Sequence, residues 1–245
     1  MSSPSADADP LVVLDEVRLT LRSAAGPVEV LRGVSLEIAA GETVAVVGPS
    51  GSGKSTLVMV LGGLERSSAG RVRVAGHDLG LLGEDALARL RRTEIGIVFQ
   101  GFHLLPTMTA LENVAIPLEL AGRRDAFAAA ADGLAAVGLG HRLGHYPAQL
   151  SGGEQQRVAI ARGFAAGPKL LLADEPTGNL DGATGRLVID CLFEHRARYG
   201  TTLVLITHDE SLAERCGRRV RLADGRIAAD RTSLPGSAAP LRRAR

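Results

Sequence analysis

Residues 48–55 read Gly-Pro-Ser-Gly-Ser-Gly-Lys-Ser, and they follow the short apolar run Thr43-Val44-Ala45-Val46-Val47. The run is β-branched and reads as a buried parallel strand. Gly48, Pro49, Ser50, Gly51, Ser52 and Gly53 supply a turn of small side-chain bulk, so consecutive backbone N–H groups can converge on phosphate oxygens. Lys54 adds a positive charge at the β- and γ-phosphates, and the Ser55 hydroxyl is a Mg²⁺ ligand type. Thr56-Leu57-Val58-Met59-Val60-Leu61 reads as a buried helix whose positive N-terminal end faces the same phosphates. A strand, a glycine loop and a helix in this order constrain the chain to an α/β fold with a phosphate loop at a strand's carboxyl end.

The rest of the 245 residues follows from that core. Residues 11–47 carry β-patterned runs at Leu11 to Leu14, Val17 to Leu21, Val28 to Leu31 and Ser35 to Ile38, with Gly26-Pro27 and Ala40-Gly41 as turns. Further strands are expected at Arg71 to Ala75, Ile95 to Phe99, Leu170 to Ala173 and Leu203 to Ile206, and helices at Glu84 to Arg92 and near 182–198. Between about 106 and 166 the sequence turns to Ala, Leu, Glu and Arg at helical spacing, which reads as a helical subdomain. Residues 1–10 read as a disordered leader, 11–230 as the folded domain, and 231–245 as a disordered basic tail. The leader lacks the basic start and apolar stretch of a secretory signal.

Charge and composition exclude several functions. The chain has 28 basic and 27 acidic residues, so it lacks the basic footprint of a nucleic-acid binder. Trp is absent and aromatics are 3%, which leaves no platform for base stacking. No apolar run approaches the roughly 18 residues of a membrane span. Cys191 and Cys216 form no CxxC pair and read as reduced thiols of a cytoplasmic protein. His141 and His145 stand four apart, but Gly144 and Pro147 argue against a shared helix face, so they read as surface residues rather than metal ligands.

Leu170-Leu171-Leu172-Ala173-Asp174-Glu175 is an apolar strand ending in two acids. An Asp at that position can hold Mg²⁺, and the following Glu can orient or deprotonate an attacking water.

With Leu150-Ser151-Gly152-Gly153-Glu154-Gln155-Gln156-Arg157 added, the chain resembles the nucleotide-binding subunit of an ATP-binding-cassette (ABC) transporter over about residues 11–230. The Leu150–Arg157 segment is similar to that family's signature motif, Gln100 to its Q-loop glutamine, Gly178-Asn179-Leu180-Asp181 to its D-loop and His208 to its switch histidine. The resemblance implies an ABC-type P-loop core with an N-terminal antiparallel β subdomain and a helical signature subdomain. It implies an ATPase that dimerises head to tail around two ATP molecules. Residues 48–56 would hold one face of each nucleotide, and Ser151, Gly152 and Gly153 of the other copy would hold the opposite face. Ser55 and Gln100 would ligate Mg²⁺ with Asp174 acting in its outer shell, Glu175 would be the general base, His208 would contact the γ-phosphate, and Asp181 would link the two sites. Family members place an aromatic residue before the phosphate loop to stack on adenine; here Leu21 stands in that position, which offers no π-stacking.

Three phrases narrow the resemblance. Glu175 to Asp181, Phe99 to Pro106, and Leu111-Glu112-Asn113-Val114 with Pro117 resemble the lipoprotein-release, macrolide-export and cell-division branch. The expected partners are a second copy and a membrane permease with a large extracytoplasmic domain, reached through the surface after Gln100. The expected location is the cytoplasmic face of the inner membrane. The alternatives are a soluble ABC-type ATPase working on nucleic acid or ribosomes, which the balanced charge and absence of a long heptad run disfavour, and a mechanotransmitter that regulates an extracytoplasmic enzyme without moving cargo.

Overall fold

The computed structural model describes residues 9–23 and 26–232. Two sheets organise the chain. The first is antiparallel, in the order β2-β1-β4-β5, from β1 (Val12–Ser23), β2 (Gly26–Ile38), β4 (Ala69–Val74) and β5 (His77–Asp78). The second is six-stranded, in the order β10-β9-β3-β8-β7-β6, from β3 (Thr43–Val47), β6 (Ile95–Val98), β7 (Leu170–Asp174), β8 (Thr202–Ile206), β9 (Arg218–Ala223) and β10 (Arg226–Thr232). All its pairings are parallel except the hairpin β9–β10.

The parallel strands are apolar on both faces because both are covered. Their side chains alternate between two cores with the period of two that a strand imposes. Val44, Val46, Leu170, Leu172, Val204 and Ile206 enter the core shared with the antiparallel sheet, α1 (Lys54–Leu61) and α2 (Glu84–Thr93). Ala45, Val47, Leu171, Ala173, Leu203 and Leu205 enter the opposite core. There they meet α3 (Ala110–Leu120), α4 (Ala126–Ala136), α5 (Gly152–Phe164) and α6 (Gly182–Tyr199). The short α7 (Glu210–Ala213) follows β8. Helix α5 lies so close to β6 that a Cβ on Gly96 would stand 2.1 Å from the Gly163 carbonyl oxygen, so glycine is required there.

Several sequence expectations are corrected. The runs at 11–14 and 17–21 are one strand, continuous through an irregularity where Glu16 takes φ 46°. The runs at 28–31 and 35–38 are likewise one strand, and Gly26 and Pro27 already lie in it rather than in a turn. Arg231 and Thr232 belong to β10, not to a disordered tail, because they pair with Arg219 and Arg218. The remainder of the expected tail, 233–245, and of the leader, 1–8, lies outside the described residues. The β9–β10 hairpin escaped the sequence reading although its signal is present: Asp224-Gly225 is a turn pair, and both residues take positive φ (48° and 73°).

The loop after β6 is fixed by one buried side chain. Asn113, with no exposed surface, accepts from the Leu105 N–H at 2.7 Å and donates to the carbonyls of Leu105, Met108 and Thr109. Replacing it by Ala leaves the Leu105 N–H without its acceptor. Asn113→Ala is expected to lower unfolding free energy by about 1–3 kcal/mol in urea titration; an unchanged midpoint would mean the loop is held by other contacts.

Candidate functional site

Four adjacent strands deliver the functional loops from their carboxyl ends, the usual place for ligands in an open α/β sheet. Gly48 follows β3, His208 lies just past β8, Glu175 follows Asp174 at the end of β7, and Gln100 lies just past β6.

The phosphate loop is set by close backbone approach. A Cβ on Gly48 would fall 2.0 Å from the Leu222 carbonyl oxygen, and φ there is 154°. Gly53, at φ 99°, packs under Val30 and Leu31 of β2. The Lys54 ammonium donates to the Gly48 and Pro49 carbonyls at 2.9 Å each, so it bridges the loop it belongs to. Ser52 is buried, and its hydroxyl has no partner among the described residues. Leu21 is 38% exposed and pairs with Val28 on the β1–β2 hairpin, the hairpin whose Val30 stands against Gly53.

Burial pushes the Asp174 carboxyl above the ordinary value, while the nearby Ser55 hydroxyl and the Lys54 charge act the other way. Its Oδ1 is buried without a partner among the described residues. Glu175 takes φ 46°, a left-handed conformation unusual for a glutamate and typical of functional sites. Its Oε2 accepts from His208 Nδ1 at 2.8 Å; the carboxylate is largely buried and the imidazole exposed.

Gln100 is held by a residue whose part in the site was not foreseen. Its Nε2 donates to Asn179 Oδ1 at 3.2 Å, and Asn179 Nδ2 donates back to the Gln100 carbonyl at 3.0 Å. The two lie 79 positions apart, so spacing alone carries no sign of the pair.

Ser151 and Asp181 are both helix caps. Asp181 accepts from the Ala183 and Thr184 N–H groups at 3.0 Å each, and these bonds hold its carboxyl below the ordinary value. Ser151 heads α5 in a capping box: its hydroxyl accepts from the Glu154 N–H, and Glu154 Oε2 accepts from the Ser151 N–H at 2.8 Å. The two caps adjoin. A Cβ on Gly153 would come within 2.2 Å of Thr184 Cγ2, and one on Gly152 within 3.2 Å of Leu180 Cδ2. Asp181, Glu175, His208 and Asp209 line one cleft of about 330 Å³. Helix α5 also grips the loop after Gln100, since Arg162 donates to the Phe102 and His103 carbonyls at 2.8 and 2.7 Å.

Other singled-out residues stay outside this arrangement. His145 Nε2 lies 3.1 Å from Arg142, and the described residues contain no cluster of three or more metal-ligating side chains. Burial pushes the Cys191 and Cys216 thiols up to about 11 and about 12, which makes them poor nucleophiles. Among the described residues no helix is long and apolar enough to cross a membrane.

This site is that of a nucleotide-hydrolysing cassette. The sequence profile of the ABC transporter family matches residues 31–178, and the chain belongs to that family as an ATP-binding, ATP-hydrolysing cassette coupled to transport. It is 56% identical over 205 residues to the lipoprotein-releasing system ATP-binding protein LolD of Geobacter metallireducens, covering 83% of this chain and 91% of that one. It is 49% identical over 223 residues to the macrolide export ATP-binding/permease protein MacB of Marinobacter nauticus, covering 90% of this chain and 34% of that one. The fold matches the dimeric post-hydrolysis structure of the ATP-binding cassette MJ0796 bound to ADP and Pi, with TM-score 0.84 and 38% identity over 90% of this chain and 98% of that one.

The capping box carries a pH consequence. The Ser151 backbone and hydroxyl, and then Arg142, hold the Glu154 carboxyl below its ordinary 4.5. A depressed carboxyl contributes stability that is complete above the unfolded value and is lost as pH falls through the folded one. Wild type is therefore expected to lose stability more steeply than Glu154→Gln below about pH 4.5. Parallel urea-midpoint profiles for the two proteins would show that the box does not titrate with folding.

Proposed function

We propose that this chain is the energy-coupling subunit of a membrane export or extraction complex of the lipoprotein-release and macrolide-export type, acting as a head-to-tail homodimer around two ATP molecules. The observation that carries it is the Glu175–His208 pair beside the phosphate loop, with the Ser151 and Asp181 caps on an adjoining surface. Residues 48–56 bind the phosphates on one side. Ser151, Gly152 and Gly153 of a second copy supply N–H groups and a hydroxyl at a helix N-terminus on the other. ATP then favours the closed dimer, because that state alone satisfies both faces of the phosphates.

The residues present suit Mg²⁺. Asp174 carries an unpartnered buried oxygen near the Ser55 hydroxyl, and carboxylate and hydroxyl oxygens are the donors this hard cation takes. Ser55 and Gln100 would ligate it, with Asp174 acting in its outer shell. When bound, the ion neutralises charge on the β- and γ-phosphate oxygens. Glu175 receives the proton of the attacking water. His208, oriented by its Nδ1–H bond to Glu175, presents its other ring nitrogen toward the γ-phosphate. Lys54 exchanges its loop carbonyls for phosphate oxygens.

Transmission runs through α5. That helix begins at Ser151 and, through Arg162, holds the Phe102–His103 backbone after Gln100. A change at the nucleotide thus reaches the surface that faces the permease. The relatives' names, a lipoprotein-releasing system ATP-binding protein and a macrolide export ATP-binding/permease protein, support a permease partner. The large extracytoplasmic domain of that partner and a place at the cytoplasmic face of the inner membrane rest on the likeness of Glu175 to Asp181 and Phe99 to Pro106 to the lipoprotein-release branch. The balanced charge disfavours nucleic acid. Direct transport and mechanotransmission share this cassette chemistry, and the export reading is favoured by the relatives' names.

Glu175→Gln is expected to keep ATP affinity, lower hydrolysis by about 10²- to 10⁴-fold and accumulate a dimer. Tagged and purified from native membranes with Mg-ATP, it should bring down a permease. Wild-type turnover in this variant would remove Glu175 as the base, and recovery of ribosomes or nucleic acid instead of a permease would overturn the transporter reading. Leu21→Tyr should tighten ATP binding severalfold by adding a stacking face; unchanged affinity, measured by calorimetry, would place the adenine elsewhere.

A further inference from the structure

Gln100 sits in the loop after β6 with its side chain exposed. A long, exposed side chain samples many rotamers, and fixing it costs entropy. Its amide also has two ends of nearly the same shape, and only one of them suits magnesium. The cation takes oxygen ligands, so Oε1 can ligate it and the Nε2 amino group cannot. A glutamine that serves as a ligand therefore gains from anything that restricts its rotamers and selects the right end of its amide.

Asn179 does both. The main-chain carbonyl of Gln100 can only accept a hydrogen bond, so the Asn179 atom 3.0 Å from it is the donor Nδ2. Oδ1 is then the other end of the Asn179 amide. The Gln100 side-chain atom 3.2 Å from that oxygen must itself be a donor, which makes it Nε2. One main-chain carbonyl thus fixes the sense of both amides. Oε1 is the end of the Gln100 amide that Asn179 leaves free.

The segment that carries Asn179 is a firm platform. The Gly178 N–H donates to the Glu175 carbonyl and the Leu180 N–H to the Thr177 carbonyl, both at 3.0 Å. Asp181 caps α6 directly afterwards. The Gln100 side chain lies against the main chain of Gly178: a Cβ there would stand 2.6 Å from Nε2 and 3.0 Å from Cδ. Glycine at 178 gives the side chain room to lie down, and Asn179 pins its end. Asn179 is exposed as well, so it can be replaced without opening a cavity.

We propose that Asn179 is a positioning residue for the magnesium site: it holds Nε2 of Gln100, and so presents Oε1 as the ligating end before the cation arrives. The proposal rests on the reading of Gln100 as a magnesium ligand.

The test is the affinity of the full-length protein for a non-hydrolysable ATP analogue, measured by calorimetry in Mg²⁺ and again in EDTA. The ratio of the two affinities is the magnesium contribution. Asn179→Leu, close in shape but without the amide, is expected to lower that ratio about three- to tenfold and to leave the affinity in EDTA unchanged. Asn179→Ala, which cannot crowd the loop, should do the same. Gln100→Ala should lower the ratio at least as far, and adding Asn179→Leu to it should have no further effect. A merely structural role for Asn179 would lower affinity in EDTA too, or add its loss to that of Gln100→Ala; either result overturns the proposal. A fall with Gln100→Ala but none with Asn179→Leu or Asn179→Ala would overturn the positioning role and leave the ligand reading standing. A ratio untouched by Gln100→Ala would remove Gln100 as a ligand, and the proposal with it.

Discussion

Everything at the site depends on the parallel ladder β3–β8–β7–β6. Each strand is anchored on both faces by apolar side chains that alternate between two cores. A strand held from both sides cannot slip by one residue without moving its whole apolar set to the wrong face. Registers such as Val46 against Ile206 and Asp174 against Ile206 are therefore pinned. The strand ends are pinned with them, and so are the loops that carry Gly48, Glu175, His208 and Gln100. Positioning at the site is a by-product of core packing.

The second layer of control is polar and local. The site's loops are tied by directed side-chain bonds: Asn179 to Gln100, Asn113 to Leu105, Arg162 to Phe102 and His103. Two of these ties join segments distant in sequence: Asn179 and Gln100 are 79 positions apart, and Arg162 lies 59 and 60 positions from His103 and Phe102. Helix α5 sits at their centre. Its first turn is the Ser151 cap, and its last turn holds the Phe102–His103 backbone. On the proposed reading, a rod with contacts at both ends is the simplest physical link between nucleotide and permease.

Electrostatics then separates the carboxylates by role. Asp174 is buried with one oxygen unpartnered, and its carboxyl is raised by that burial. Asp181 and Glu154 are held low by backbone N–H groups at helix starts and serve geometry. Glu175 lies in a left-handed backbone and is hydrogen-bonded to His208. Residues of the same type acquire different duties because burial and partner differ at each position.

The strand–loop–helix unit around 48–55 and the acids ending β7 were legible from the sequence, since each is a local pattern whose chemistry lies within a few residues; the Ser151 box was also local and was not read. The Asp224-Gly225 hairpin was equally local and was passed over. The pairing of Asn179 with Gln100, the Leu222 carbonyl behind Gly48, and the adjacency of Gly153 to Thr184 were not legible, because each joins segments whose proximity is set by sheet order and helix packing. The sequence by itself determined which chemistry the chain carries, because short-range spacing specifies loops, caps and strand ends. The tertiary structure alone decided which of those groups meet, because that depends on burial shared between distant segments.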